Sequence, residues 1–200
     1  MFRELTLMML TMWPSIPLFL IQLHLAPNFW RRLGVWTYLV VFLEWLPVAY
    51  AISLWQEEIL QHTVLTTTPI LVLGITLVTA GFVLHAWTAK LLGIKATIGY
   101  AELKPQNDGY SLITSGPFSV VRHPSYVAHT LIFVGILMIT GVIAVGITAL
   151  ADFLIAYFIT IELEERELIQ RFGNRYREYQ MRVPKFFLKL APRAEELKEA

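Results

Sequence analysis

The chain has 200 residues, 56% of them hydrophobic and 16% charged, with a formal net charge of +1 and no cysteine. So apolar a composition excludes an ordinary soluble domain and indicates a single integral membrane bundle spanning 1–200. The lack of cysteine excludes disulfides, thiolate metal sites, iron–sulfur clusters and a cysteine nucleophile within the sequence, and the balanced charge gives no case for nucleic acid.

Residues 5–25 contain no acid, Lys or Arg and have the length needed to cross about 30 Å of hydrocarbon. They lack a basic leader followed by a small-residue cleavage site, so a retained span is expected, kinked by Pro14 and Pro17. Residues 33–55 form the second predicted span and enclose Glu44. The third, 69–92, opens on a proline suited to a first helical turn and closes near Lys90, which can snorkel. As one helix, the apolar block 126–161 would run about 54 Å, more than a bilayer's apolar thickness. It must fold back, with Thr140-Gly141 as the reversal point and Gly135, Gly146 and Ala149 permitting close packing. The expected fold is an all-α integral membrane protein with five transmembrane helices at 5–25, 33–55, 69–92, 126–140 and 142–161, the last two a tight hairpin.

Five spans put the termini on opposite sides. With the C-terminus inside, Arg31, Arg32, Lys90, Lys95, Lys104, Arg122 and the C-terminal basic set are cytoplasmic, and Arg3 alone is outside. The external 56–68 loop holds Glu57 and Glu58 but no Lys or Arg, as the positive-inside rule requires.

Two polar clusters edge the last apolar block. The first is Thr114-Ser115-Gly116-Pro117-Phe118-Ser119-Val120-Val121-Arg122-His123-Pro124-Ser125-Tyr126. The second is Glu164-Glu165-x-x-Leu168-x-x-x-Phe172-Gly173-x-x-Tyr176-x-x-Tyr179. Ser115-Gly116-Pro117 reads as a turn, His123 is held out of helical backbone by Pro124, and Pro124 suits the first position of the fourth span. The free amides there could take an anion, with His123, Ser125 and Tyr126 adding side-chain hydrogen bonds; alternatively Arg122 and His123 merely anchor a helix at the headgroups. Glu164 shares a helical face with Leu168, Phe172 and Tyr176 and needs a partner there, whereas Glu165 points about 100° away. Glu167 with Arg171, and Glu178 with Arg182, read as exposed i,i+4 pairs, and the 193–200 tail as a solvated face. Within the spans, Asp152 and Glu44 read as structural hydrogen-bonding groups, while His85 and His129 are open to either a structural or a functional role. No metal-ligand spacing, G-x-G-x-x-G or P-loop is present.

The ordered set S-G-P, R-H-P-S-Y, apolar hairpin, E-E and F-G-x-x-Y-x-x-Y, over roughly 110–184, resembles the isoprenylcysteine carboxyl methyltransferase family and the related phospholipid methyltransferases. The resemblance implies S-adenosylmethionine as methyl donor, held by a cytoplasmic C-terminal helical cap built from segments near 100–126 and 162–190. Carried over by position, the cofactor residues are Tyr110, Ser111, Leu112, Ile113, Phe118, His123, Pro124, Ser125, Tyr126 and Glu164, with His123, Tyr126 and Glu164 in catalytic roles and no metal. Phe118 stands where many relatives have tyrosine. The implied acceptor is lipid-borne and enters from the membrane, most simply the α-carboxylate of a C-terminal isoprenylcysteine, with a lipid amine as the alternative. Several carboxyl methyltransferases of this type carry an arginine four residues before the first Glu; here that position is Thr160. Two competing expectations are an NADPH-dependent sterol-type reductase, which has a similar C-terminal helical arrangement, and a small transporter or structural membrane protein.

Overall fold

The computed structural model describes residues 2–97, 103 and 111–186. Among them all regular structure is helical, and strand-like pairing is limited to an isolated bridge between Thr63 and Val142. The expectations for Tyr110, Lys104 and residues 193–200, and for the side chain of Lys95, lie outside the described residues. Four stretches are long and apolar enough to cross a membrane: Phe2–Leu25, Pro27–Leu54, Thr68–Leu92 and Ile143–Phe172. A fifth apolar helix, Pro124–Thr140, is shorter.

The first stretch is broken and not merely kinked. Helix α1 (Phe2–Met12) stops before Pro14, whose ring cannot continue the hydrogen-bond ladder, and α2 (Ser15–Leu25) starts afresh. Pro17 falls in the first turn of α2, where its missing amide leaves no gap. The second stretch begins earlier than the expected residue 33: α3 (Pro27–Leu33) starts on a proline and passes through a 3-10 turn, Gly34–Trp36, into α4 (Thr37–Leu54). After the short α5 (Gln56–Gln61) come α6 (Thr68–Leu92), α7 (Ile94–Thr97) and α8 (Pro124–Thr140).

Helices α6 and α8 share the closest contact of the bundle, because glycines let their backbones meet. A Cβ added at Gly81 would lie 2.6 Å from Cγ1 of Ile132 and 2.8 Å from the carbonyl of Ala128. One at Gly135 would lie 2.7 Å from the carbonyl of Gly74. Without side chains at these positions, the helices approach by packing alone.

The chain reverses at Gly141, which takes a left-handed conformation (φ 69°) and donates its amide to Leu137 O at 2.7 Å. A Cβ there would collide with the carbonyl of Val64. From this turn α9 (Ile143–Ile155) runs through a π-helical turn, Ala156–Thr160, straight into α10 (Ile161–Phe172). The acidic segment is therefore a direct continuation of the last apolar helix. Gly173 (φ 57°) then ends α10, and α11 (Asn174–Arg182) starts in a new direction. Tyr176 accordingly lies on a different helix from Glu164, not further along one continuous helical face as expected.

Polar residues sort to the two ends of the bundle. At one end Arg3 donates to Glu57 (2.6 Å) and Gln56 (3.1 Å) beside the 140–142 turn. At the other, Arg31 pairs with Glu167 and Arg122 with Glu165. Between these ends, large apolar side chains such as Phe42, Leu46, Ile75, Phe82, Ile147 and Leu154 are exposed, as a lipid-facing surface requires.

Candidate active site

The link between α7 and α8 is drawn onto α10 and α11 by one arginine. Arg122 directs Nε and Nη2 at Oε1 of Glu165 (2.8 and 2.7 Å), and its Nη1 donates to the carbonyls of Gln180 (3.1 Å) and Val183 (2.6 Å). Its backbone amide donates to Pro184 O at 2.9 Å. Glu165 is filled further by Nε2 of His123 at 3.0 Å and by Nε2 of Gln180, which donates at 2.8 Å. A buried carboxylate is tolerable only when so paired.

His123 adopts φ −122°, ψ 63°, outside the helical region, as the following proline demands, and is buried. Its Nδ1 faces Oε2 of Glu164 at 3.5 Å, so the two adjacent glutamates flank the ring. Burial opposes protonation of His123, but the two carboxylates outweigh it and raise its pKa above the ordinary value. Glu164 also accepts a hydrogen bond from the Tyr126 hydroxyl at 3.3 Å. Below it, the Tyr179 hydroxyl donates to the carbonyl of Phe118 at 2.6 Å, and burial pushes its pKa up to about 12.

These residues border a cavity of about 170 Å³. Ser111, Leu112, Ile113, Phe118, His123, Pro124, Ser125, Tyr126 and Glu164 all lie on its wall, joined by Leu92 and Ala96 and, from α10 and α11, by Leu168, Arg171, Phe172, Tyr176 and Tyr179. A second, larger cavity of about 360 Å³ lies among α2, α4, α6 and α8, and shares Leu92, Ala96, Ser125, Tyr126 and Glu164 with the first. His24, His85 and His129 line the second cavity.

Glu165 is the principal omission of the sequence reading. Its partner role is visible in retrospect as two complementary dipeptides, Arg122-His123 and Glu164-Glu165, one on each side of the hairpin. Glu167 is also corrected: its carboxylate, 14% exposed, meets Nδ1 of His24 at 2.9 Å and Nη2 of Arg31 at 3.3 Å instead of belonging to a solvated face. Tertiary packing of α2 and α3 against α10 causes this, which an i,i+4 pattern cannot reveal. Asp152 accepts from Nε1 of Trp13 at 2.7 Å, and Glu44 from Gln22 at 3.0 and 3.2 Å, both structural arrangements.

The sequence profile of the phospholipid methyltransferase family matches residues 69–175, more than half of the chain. The chain belongs to that family. The matched range includes the α6–α8 glycine seam and both clamp dipeptides. Among curated proteins, a cobalt-zinc-cadmium resistance protein of Cupriavidus metallidurans is 31% identical over 161 residues, covering 80% of this chain and 65% of the relative. The protein-S-isoprenylcysteine O-methyltransferase of Xenopus laevis is 32% identical over 140 residues, 67% of this chain and 47% of the relative. The methanethiol S-methyltransferase of Pseudomonas deceptionensis is 32% identical over 146 residues, 72% and 52% respectively. The chain thus spans less than two thirds of the length of each of these relatives. No solved structure matches it at a significant level. Membership in a methyltransferase family gives no support to the sterol-type reductase expectation.

Proposed function

We propose that the chain is an S-adenosylmethionine-dependent methyltransferase acting on an acceptor with an apolar body that enters sideways from the bilayer. The observation that carries this is the meeting of two cavities along Ser125, Tyr126 and Glu164. The first has a donor set suited to S-adenosylmethionine: the rings of Phe118 and Phe172 for a nucleobase, the Glu164 carboxylate for a cationic group and Arg171 for a carboxylate. That cofactor supplies a methyl group already activated on a sulfonium.

What remains for the protein is alignment in a dry site. The Arg122–Glu165 clamp holds the start of α8 against α10. Tyr126 fixes the Glu164 carboxylate at the junction of the cavities, and both ring nitrogens of His123 are engaged by carboxylates, which makes it a positioning residue. Five spans, with the Arg-rich end of the bundle and the C-terminus in the cytoplasm and α10–α11 as a cap, fit the charge distribution.

For the acceptor, the resemblance names the isoprenylcysteine α-carboxylate, and the Xenopus relative bears that name. A carboxylate needs no base but does need a cation. Thr160, at the position of the arginine in several such relatives, is 1% exposed inside the π-turn, and Arg122 is engaged by Glu165. A lipid amine would have to lose a proton first.

Calorimetric titration of the detergent-purified protein with S-adenosylhomocysteine and NADPH tests the cofactor class. The expected result is S-adenosylhomocysteine binding that weakens at least roughly tenfold in Glu164→Ala, the loss of about one charge-assisted interaction. Heat with NADPH alone would overturn the proposal in favour of a reductase, and no heat with either would favour a transport or structural role.

A further inference from the structure

The second cavity carries two titratable side chains for which cofactor binding has no use. His85 of α6 and His129 of α8 line its wall with ring centroids 5.2 Å apart. The glycine seam explains the pairing: His85 is one turn beyond Gly81, and His129 follows Ala128, the residue whose carbonyl faces Gly81. Nδ1 of His85 is buried with no hydrogen-bond partner among the described residues. Unlike His24 and His123, neither imidazole is paired with a carboxylate among the described residues. Nor do they belong to any group of three or more His, Asp or Glu among the described residues that could hold a metal ion.

Their position relative to the first cavity is informative. Tyr126 lies one turn before His129, its ring in edge contact at 6.3 Å, and its hydroxyl donates to Glu164 at the rim shared by both cavities. Glu164, Tyr126, His129 and His85 therefore form a run of side chains leading from the junction into the second cavity. The rest of that wall is largely apolar, including Ile16, Phe19, Leu20 and Val41, and no Lys or Arg lines it among the described residues.

Such a wall selects against charged acceptors. A carboxylate is ionised at neutral pH and would be buried without a cation, and an alkylamine would arrive protonated and be held by Glu164 at the rim, away from the two imidazoles. A thiol arrives neutral, partitions into an apolar cavity, and becomes a strong nucleophile as a neighbouring neutral imidazole takes up its proton during attack. We propose that the second cavity is the methyl-acceptor site for an apolar thiol, with the His85–His129 pair as its general base and His129, beside Tyr126, receiving the proton. In balance, the S–H proton passes to an imidazole nitrogen. The acceptor sulfur's electron pair forms the new S–CH3 bond while the methyl–sulfonium bond breaks, its pair remaining on the departing sulfur. The imidazolium then releases its proton to water.

This inference rests on the methyltransferase reading above, and the experiment separates the two. The full chain in lipid nanodiscs is titrated with 1-butanethiol, butanoate and butylamine, probes of equal chain length, and separately with S-adenosylhomocysteine. Saturable binding of butanethiol alone is expected. In His85→Gln/His129→Gln, kcat with butanethiol should fall about 100-fold, the low end for loss of a general base. With 2,2,2-trifluoroethanethiol, which still enters largely neutral but is far more acidic than butanethiol and so leans less on a base, kcat should fall much less, within about threefold. Binding of butanoate or butylamine in place of butanethiol, or an equal loss of kcat with both thiols, would overturn the thiol site while leaving the methyltransferase reading intact. Failure of the wild-type chain to bind S-adenosylhomocysteine would overturn that reading instead. Should the double variant not bind S-adenosylhomocysteine, its fold is in question and the wild-type probe comparison decides.

Discussion

Nε2 of His123 lies 3.0 Å from Oε1 of Glu165, the same oxygen that Arg122 grips at 2.7 Å. One buried carboxylate oxygen thus joins the residue just before α8 to the guanidinium that holds the α10–α11 corner. The other oxygen is occupied by Gln180. Side chains from two other segments, residues 122–123 and α11, converge on a group that cannot leave without stranding the rest.

Breaking this clamp from the arginine side should be costly. Arg122→Met leaves Glu165 buried without its main counter-charge and the Gln180 and Val183 carbonyls without a donor. A loss of about 3–5 kcal/mol is expected, the range for removing one partner of a buried pair. Unfolding in mixed micelles measures it. The double variant Arg122→Met/Glu165→Leu should recover part of the loss, because no uncompensated charge remains. Equal stability of the single variant and the wild type would show that the clamp does not hold these segments.

The same cluster makes stability depend on pH in a definite direction. His123 faces Glu164 and Glu165 from α10, Arg122 from its own segment and Tyr126 from α8, and the net effect raises its pKa above 6.5. A raised pKa in the folded state means that its contribution is fully present below the unfolded value and is lost as pH rises through the folded one. Unfolding free energy should therefore decline as pH rises from the ordinary imidazole range upward in the wild type, and the His123→Gln profile should be flatter there. Parallel profiles would sink this assignment.

Tyr179 offers a smaller and cleaner test. Its hydroxyl donates to the carbonyl of Phe118, one wall of the first cavity. Tyr179→Phe keeps the ring but strands a buried acceptor, a loss of about 1–3 kcal/mol. The 3-10 turn Gly116–Ser119 that carries Phe118 should loosen, so S-adenosylhomocysteine affinity is expected to fall together with stability. Unchanged hydrogen exchange at residues 116–119 would exclude this coupling.

Much of this architecture was legible because it follows from local rules. Proline before a helix, glycine at a reversal and runs of apolar residues located α6, the α8–α9 turn and the entry to α8 within a residue or two. What escaped depends on contacts between distant segments. Glu165 looked peripheral because a helical wheel gives directions but not neighbours, and the neighbour here is Arg122, 43 residues earlier. Glu167 looked solvated until α2 and α3 were placed against it. The break at Gly173 was visible as a residue type but not as a change of direction, so Tyr176 was assigned to the wrong helix.

The glycine seam is where packing and chemistry meet most directly. At Gly81 a Cβ would fall 2.6 Å from an Ile132 methylene carbon and 2.8 Å from the backbone of Ala128, and only the former can move cheaply. Gly81→Val must therefore separate α6 from α8, with a cost of about 1–3 kcal/mol for an overpacked contact. Its consequence should not stop at stability. His85 sits one turn beyond Gly81, and His129 lies between the seam contacts Ala128 and Ile132, so widening the seam pulls apart imidazoles whose centroids are now 5.2 Å apart. Phe82→Leu, on the exposed face next to the seam, changes neither spacing nor burial and serves as the control. The distance between spin labels placed at Ile75 and Leu131 follows the helix separation. A longer distance in Gly81→Val than in Phe82→Leu is expected, with a parallel fall in acceptor methylation and little change in S-adenosylhomocysteine affinity. An unchanged distance with lost methylation would separate the seam from the second cavity and place the effect of Gly81 elsewhere.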